Sequence, residues 1–380
     1  MPQGGLLRQP GMPESIPIMM AAVLPKPHSA SADLPVPLAR VLARVIGGLQ
    51  PVPTLTIALR EAQGAILAAP IVVPSPVPAR AVALRRGYAV ASRDTLGAGP
   101  YSPLPLPVQP SIVDPGDELP VGMDAVLPDD AVLVISGQAE AHESAAPGQW
   151  TRRAGEDAPY GTVLRIAGQR VRDIDVALAG SANVPDCHIR RPRLRLVGGG
   201  PDFAAALELY RSLAQSAGAA AQVSQSQPVE DADLVCAFGV DARLTLLSEQ
   251  GADIVAHRLA LRPGEDGGAL RFGTCPVLLV PDRLADALGL WLGLALPILR
   301  HLAAAGPATA ISGRLSRKLS SAIGISELAL LRRNTDGFEP LALGDLPLAA
   351  ISEADAWSMI PPESEGFAAG ALVAAEPLWP

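Results

Sequence analysis

The sequence predicts a multidomain protein of α/β and β type, with a β lobe inserted in its first part, an open α/β sheet in its middle and a small β-barrel or sandwich at its end. Three observations lead there. At 380 residues the chain is too long for one ordinary core, and length alone suggests two to four domains. Up to residue 150 it reads as short apolar runs broken by proline and glycine, whereas from Arg193 onward strands alternate with helices. After Pro307 a hairpin signal and further short apolar runs return the chain to β structure.

Residues 1–34 are rich in Pro, Gly and Ser without periodicity and are expected to be a disordered leader. Glu14, Pro17 and a single nearby cation, Arg8, argue against reading residues 16–24 as a signal peptide. Pro37 suits the first turn of a helix that carries Leu38, Val41, Leu42 and Val45 on one face and stops at Gly47-Gly48. Residues 54–68 suggest a strand and a short helix, with Ala62, Ile66 and Leu67 available for burial. Strands are expected at 71–73, 106–108, 111–113 and 125–127, the second demoted to an edge by Pro107. Pro115-Gly116-Asp117 and Pro120-Val121-Gly122 are turn chemistry.

Residues 193–197 form a strand running into Gly198-Gly199-Gly200. Pro201 then fits a first helical position, and Asp202 sits where negative charge favours the helix dipole. Phe203, Leu207, Tyr210 and Leu213 share one face of a helix over 202–217. Residues 233–238 are a second buried strand leading through Gly239-Val240-Asp241 into a helix ending at Gln250. Strands at 254–261 and 276–280 follow, then a long helix over 282–305. This alternation points to an open, largely parallel sheet with helices on both faces, whose ligands lie over the carboxyl ends of the strands. Asn334-Thr335-Asp336-Gly337 joins runs 328–333 and 338–343 as a hairpin, and runs at 348–351 and 371–374 complete the last β domain.

Composition narrows the function classes. Apolar residues make up 49% against 18% charged, enough for a sizeable core, and the net charge of −8 argues against nucleic-acid or acidic-membrane partners. Cys187, Cys236 and Cys275 lack CxxC spacing and read as buried reduced thiols of a cytoplasmic protein. His28, His142, His188, His257 and His301 form no metal-ligand pattern. The longest uncharged apolar run, 287–299, is short for a bilayer and contains Pro297. No GxGxxG or P-loop is present, so an unrelated nucleotide has only the Gly198–Gly200 turn in its favour.

One ordered set of motifs says more. Arg152-Arg153-Ala154-Gly155-Glu156-Asp157, then Gly161, Leu164, Gly168 and Asp175, then Arg190-Arg191-Pro192-Arg193, resembles the R-R-x-G-E-D, G-x-x-L-x-x-x-G and R-R-P-R-V series of the MoeA/gephyrin-E family, the molybdopterin molybdenumtransferases. Gly87-Tyr88-Ala89-Val90, residues 119–126, Arg262-Pro263-Gly264 with Phe272-Gly273, Pro276-Val277 with Pro281, and Ala354-Asp355-Ala356-Trp357 resemble further family motifs in the same order. The resemblance implies an elongated N-terminal domain (35–68 plus 151–190) with an inserted β lobe (69–150). It also implies a central molybdopterin-binding-like, Rossmann-like α/β domain (191–306) and a small C-terminal β-barrel (307–380). It implies, too, a homodimer that uses magnesium to hydrolyse adenylylated molybdopterin and to insert molybdate into the dithiolene.

The departures fall where the chemistry would be. Arg86 stands where the family has the acid of M-D-G-Y-A, and the S-G-G-x-S-x-G-D-Y-D loop is shortened to Phe238-Gly239-Val240-Asp241. Glu265 replaces a second lysine, and Pro281-Asp282-Arg283 replaces P-G-N. A dianion and a phosphate need cations and free backbone N–H groups. Glu265 therefore opposes binding by on the order of 1–4 kcal/mol at intermediate dielectric. Carried over residue by residue, the resemblance assigns Asp202 and Asp241 as catalytic and magnesium-holding, with Gly200, Arg262, Gly264 and Pro281 as substrate-binding. The two aspartates serve equally well as helix caps, and Glu156 and Asp157 as partners of Arg152 or Arg153. Two functions are expected from this: a molybdenumtransferase with a degenerate site, or a non-catalytic scaffold carrying molybdopterin or finished cofactor to a molybdoenzyme or an active paralogue.

Overall fold

The structure is a computed structural model and describes residues 34–198, 203–224, 231–239 and 251–379. From Pro35 onward these form one packed unit. Its central sheet has six strands in the order Ala220–Ser224, Arg193–Gly198, Leu234–Phe238, Cys275–Val280, Gly268–Phe272, Ala252–Ala256. The first four run parallel, and Gly268–Phe272 runs antiparallel to both of its neighbours, Cys275–Val280 and Ala252–Ala256. Leu234–Phe238 is buried along its whole length, as a strand covered on both faces must be.

One face of the sheet presents Leu194, Leu196, Leu234, Cys236, Phe238, Leu278 and Val280 to the largest core. The Ala204–Ser216 helix and a continuous helix over Leu284–Leu302 fill that core from the other side. Tyr210 stands edge-on to Phe238 (5.1 Å) and Trp291 (4.9 Å), and its hydroxyl donates to the Ala287 carbonyl (2.8 Å). That bond satisfies a polar atom that would otherwise be orphaned in an apolar centre. The 19-residue helix has the length and apolarity of a membrane span, yet 67% of it lies inside the fold. Leu38–Ile46 turns Leu38, Val41 and Val45 into the same core, and the Gly47 N–H closes it on the Ala43 carbonyl (2.9 Å).

Asp186–Arg190 lies between Leu55–Ala58 and Ile66–Leu67 in a small sheet over a core of Leu59, Ala62, Leu67, Val171 and Ile189. In the inserted segment, Gly87–Val90 is the middle strand between Ser111–Val113 and Ala125–Leu127. The charges of the 152–157 stretch hold a turn: Arg152 pairs with Asp157, and Glu156 accepts the Arg153 backbone N–H (2.8 Å). Gly168 has φ +79°, and an added Cβ would lie 2.9 Å from the nitrogen of Gly306, which donates to the Gly168 carbonyl. Only glycine allows that close approach, which ties this stretch to the end of the long helix.

The C-terminal part closes as a barrel. Ser326–Asn334, Gly337–Leu343, Ile311–Leu315, Leu372–Pro377 and Ala356–Ile360 pair in that circular order, the last strand returning to the first. Leu315, Leu319, Leu331, Phe338, Ile360 and Val373 fill its interior.

Several expectations are corrected. Residues 348–351 belong to a helix, Leu348–Glu353, rather than a strand. The run enters through Pro347, which suits a first helical turn, is alanine-rich, and buries Ile351 in the main core. The single strand expected at 254–261 is two. Ala252–Ala256 ends the central sheet, and Leu259–Arg262 joins the barrel strand Ser326–Asn334 in parallel. At the break, the Arg258 carbonyl accepts from Val36 and the Leu259 N–H donates to Glu265, so the backbone bonds leave the central sheet there. The strand expected at 106–108 lies at Leu104–Pro105, at a sheet edge as proline requires. A hairpin of Val132–Ile135 and Gln138–Ala141 was not anticipated; its two-residue turn has positive φ at both Ser136 and Gly137. The helix expected over 241–250 falls outside the described residues.

Candidate functional site

Cys275–Val280 is a central parallel strand, and the chain leaving its carboxyl end, Pro281-Asp282-Arg283, turns into the long helix. There a cleft of about 440 Å³ opens, lined by His257, Arg258, Asp266, Pro281, Asp282, Arg283 and Asp286. Its opposite wall comes from the break between Ala252–Ala256 and Leu259–Arg262 and from the turn that follows. Open α/β sheets place ligands over such strand ends.

The turn at residues 262–264 is packed onto the long helix. An added Cβ at Gly289 would lie 2.0 Å from the Pro263 carbonyl oxygen, so the two backbones meet directly. The Gly264 N–H donates to Asp286 Oδ1 (3.1 Å), and Gly264 itself has φ +119° with Leu261 and Asp286 against it. Arg262 reaches the barrel, where its Nη1 lies 3.4 Å from Oε1 of buried Glu327. The other oxygen of Glu327 accepts from the Ser321 hydroxyl (2.7 Å) and the Ala322 N–H (3.0 Å). Arg262 is thus the joint between the sheet region and the barrel.

The electrostatics of the cleft follow from its lining. Arg258 and Arg283 face three aspartates, Asp266, Asp282 and Asp286. Arg258 Nη2 is already held by Glu265 Oε1 at 2.6 Å, while its buried Nε has no hydrogen-bond partner but lies in a looser ion pair with Asp266 Oδ1 at 3.8 Å. Arg283 is shared between Asp286 (3.9 Å) and Asp345 (3.4 Å). Burial pushes the Asp286 carboxyl above its ordinary value, against the pull of Arg283. The cleft therefore holds two arginines whose charge is already largely engaged by the surrounding acids.

Of the residues expected at the site, Pro281 lines the cleft, Gly264 supports its wall, and Arg262 stands beside it on Glu327. Gly200, Asp202 and Asp241 lie outside the described residues. Among the described residues no three His, Cys, Asp or Glu side chains converge in a metal-binding group. Sequence reasoning missed Arg258 and Asp286. The second had a signal in Arg283-x-x-Asp286, a charge pair one helical turn apart at a helix start; Arg258 had none. Arg86, away from the cleft, bridges Asp114 (2.9 Å) and Asp129 (3.3 Å).

The sheet, the closed barrel and the inserted β lobe define a β-rich multidomain class with known members. A molybdopterin biosynthesis MoeA protein from Pyrococcus horikosii superposes with a TM-score of 0.71 at 21% identity, covering 91% of this chain and 99% of that one. A second such structure, from Pyrococcus horikoshii OT3, gives 0.68 at 18%, covering 90% and 100%. These show the fold. In sequence, residues 36–182 match the MoeA N-terminal region, domains I and II. Molybdopterin molybdenumtransferase 2 of Mycobacterium tuberculosis, in strains CDC 1551 / Oshkosh and H37Rv, is 26% identical over 306 residues, 66% of this chain and 74% of that protein. The chain is thus similar to MoeA proteins in fold over most of its length, and in sequence to the MoeA N-terminal region over residues 36–182.

Proposed function

We propose that the protein acts in molybdenum cofactor biosynthesis as a MoeA-like molybdopterin molybdenumtransferase whose anion site is weakened. The carrying observation is the carboxyl-end cleft, whose two arginines are already engaged by acids, Arg258 by Glu265 and Asp266 and Arg283 by Asp286 and Asp345. The six-stranded sheet is read as the molybdopterin-binding-like, Rossmann-like domain, its first four strands being parallel. In that reading Arg258 meets a pterin phosphate or the molybdate, and Pro281 and Gly264 shape the wall. Magnesium, a homodimer and a cytoplasmic location belong to the proposal as family expectations.

Purified protein given adenylylated molybdopterin, magnesium and molybdate should release AMP above a protein-free control. Absence of AMP with retained molybdopterin binding would favour the second reading, a non-catalytic carrier serving a molybdoenzyme or an active paralogue. Glu265 on Arg258 motivates that reading, because it occupies the cation that an anionic substrate would need. Absence of both would reject the assignment.

A further inference from the structure

A second cavity, of about 600 Å³, shares no lining residue with the cleft. It lies where the 165–170 segment, the carboxyl end of the Ala204–Ser216 helix, the long helix and the barrel meet. Its size is that of a small-molecule site, and its walls are largely apolar, with Leu292, Leu296 and Trp357 among them. The polar groups are unevenly spent. Arg165 is engaged by Asp175 (3.2 Å) and the Arg170 carbonyl, and Arg300 by Glu376 (2.7 Å), which uses the only carboxylate in the lining. By contrast, the side chains of Arg170, Ser216, Thr309 and Trp357 make no hydrogen bond or ion pair among the described residues.

The cavity therefore holds idle donors, two of them hydroxyls that can also accept, offers no idle carboxylate, and carries one uncompensated positive charge. Such a lining complements a ligand with a flat apolar body and an acceptor-rich anionic end, the apolar part against Trp357 and Leu296 and the anion on Arg170. We infer that this junction cavity is a binding site for a small amphipathic anion, an aromatic carboxylate or sulfonate. It is independent of the chemistry proposed for the cleft, so either assignment can fail alone.

The probe is 8-anilino-1-naphthalenesulfonate, titrated into the folded full-length chain and followed by fluorescence and calorimetry. Saturable binding of one probe per chain is expected. Its neutral analogue N-phenyl-1-naphthylamine should bind at least about tenfold more weakly, because a charge-assisted hydrogen bond is lost. Arg170→Gln should weaken the sulfonate by a similar factor and leave the neutral amine unchanged, and Ser216→Phe should block both. No saturable binding, or equal affinity for the charged and neutral probes, overturns the inference. The probe comparison needs no variant, so it stands even if a substitution impairs folding.

Discussion

Gly289→Ala tests whether the 262–264 turn rests on the long helix as described. In a helix interior the change ordinarily stabilises by about 1 kcal/mol, since glycine has more backbone freedom to lose. Here the new Cβ would lie 2.0 Å from the Pro263 oxygen and 2.9 Å from its carbonyl carbon, where real contacts stay at or above 3.0 Å. Both partners are backbone, so no flexible side chain can give way, and the turn must lift by roughly 1 Å. Overpacking of this kind costs about 1–3 kcal/mol. At the upper end of that range, the change nets to a loss of about 2 kcal/mol once the helix gain is subtracted. The lift would also pull the Gly264 N–H from Asp286. Gly180→Ala is the matched control: it is helical with nothing within 4 Å of its added Cβ, so a gain of about 0.5–1 kcal/mol is expected. Urea unfolding followed by tryptophan fluorescence, with buried Trp291 two residues from Gly289, reads both variants. If Gly289→Ala stabilised as Gly180→Ala does, the turn would not be seated on the helix and the cleft wall would be wrong.

Three further outcomes are expected. Glu327→Ala strands Ser321, Ala322 and Arg262 at the joint of sheet and barrel, and thermal unfolding should show a loss of about 2–3 kcal/mol; an unchanged midpoint would contradict the joint. Buried Asp175 is held below its ordinary value chiefly by its hydrogen bond to Arg172, with Arg165 adding to the effect. Because its folded value is depressed, its stabilisation is full above the unfolded value of ~3.9 and is lost as pH falls through the lower folded one. Asp175→Asn should therefore flatten the acid limb of stability measured from pH 6 to 3, and a parallel limb would argue against the pair. Burial pushes the Cys275 thiol up to about 12 and the Cys236 and Cys187 thiols upward as well. Native protein should thus show no fast-reacting thiol with a disulfide reagent at pH 8, and all three after denaturation.

The parts legible in the sequence were those whose periodicity and turn chemistry act locally. Leu38, Val41 and Val45 at helical spacing, the Asn334–Gly337 turn and the all-apolar Leu234–Phe238 strand each carry their structure in a few neighbouring residues. Where the outcome depended on distant partners, the reading failed. Residues 254–261 look like one strand until Val36 and Glu265 take the hydrogen bonds on either side of Arg258. Leu348–Ile351 is short enough to fit strand or helix, and Pro347 with barrel packing decides it. Of the family motifs, the one with Pro281 falls in the cleft lining and the one with Gly264 packs behind it. They could not show that Glu265 would close on Arg258, because that contact is made across a turn whose course Gly264 and Gly267 set.

The weakened anion site is tested most directly by calorimetric titration of molybdopterin into the wild-type chain and into a Glu265→Gln, Asp282→Asn double variant. Removing two negative charges from beside the cleft, and releasing Arg258, should tighten binding by about tenfold or more at intermediate dielectric. Equal or weaker affinity in the double variant would show that the pterin does not bind against Arg258 in this cleft.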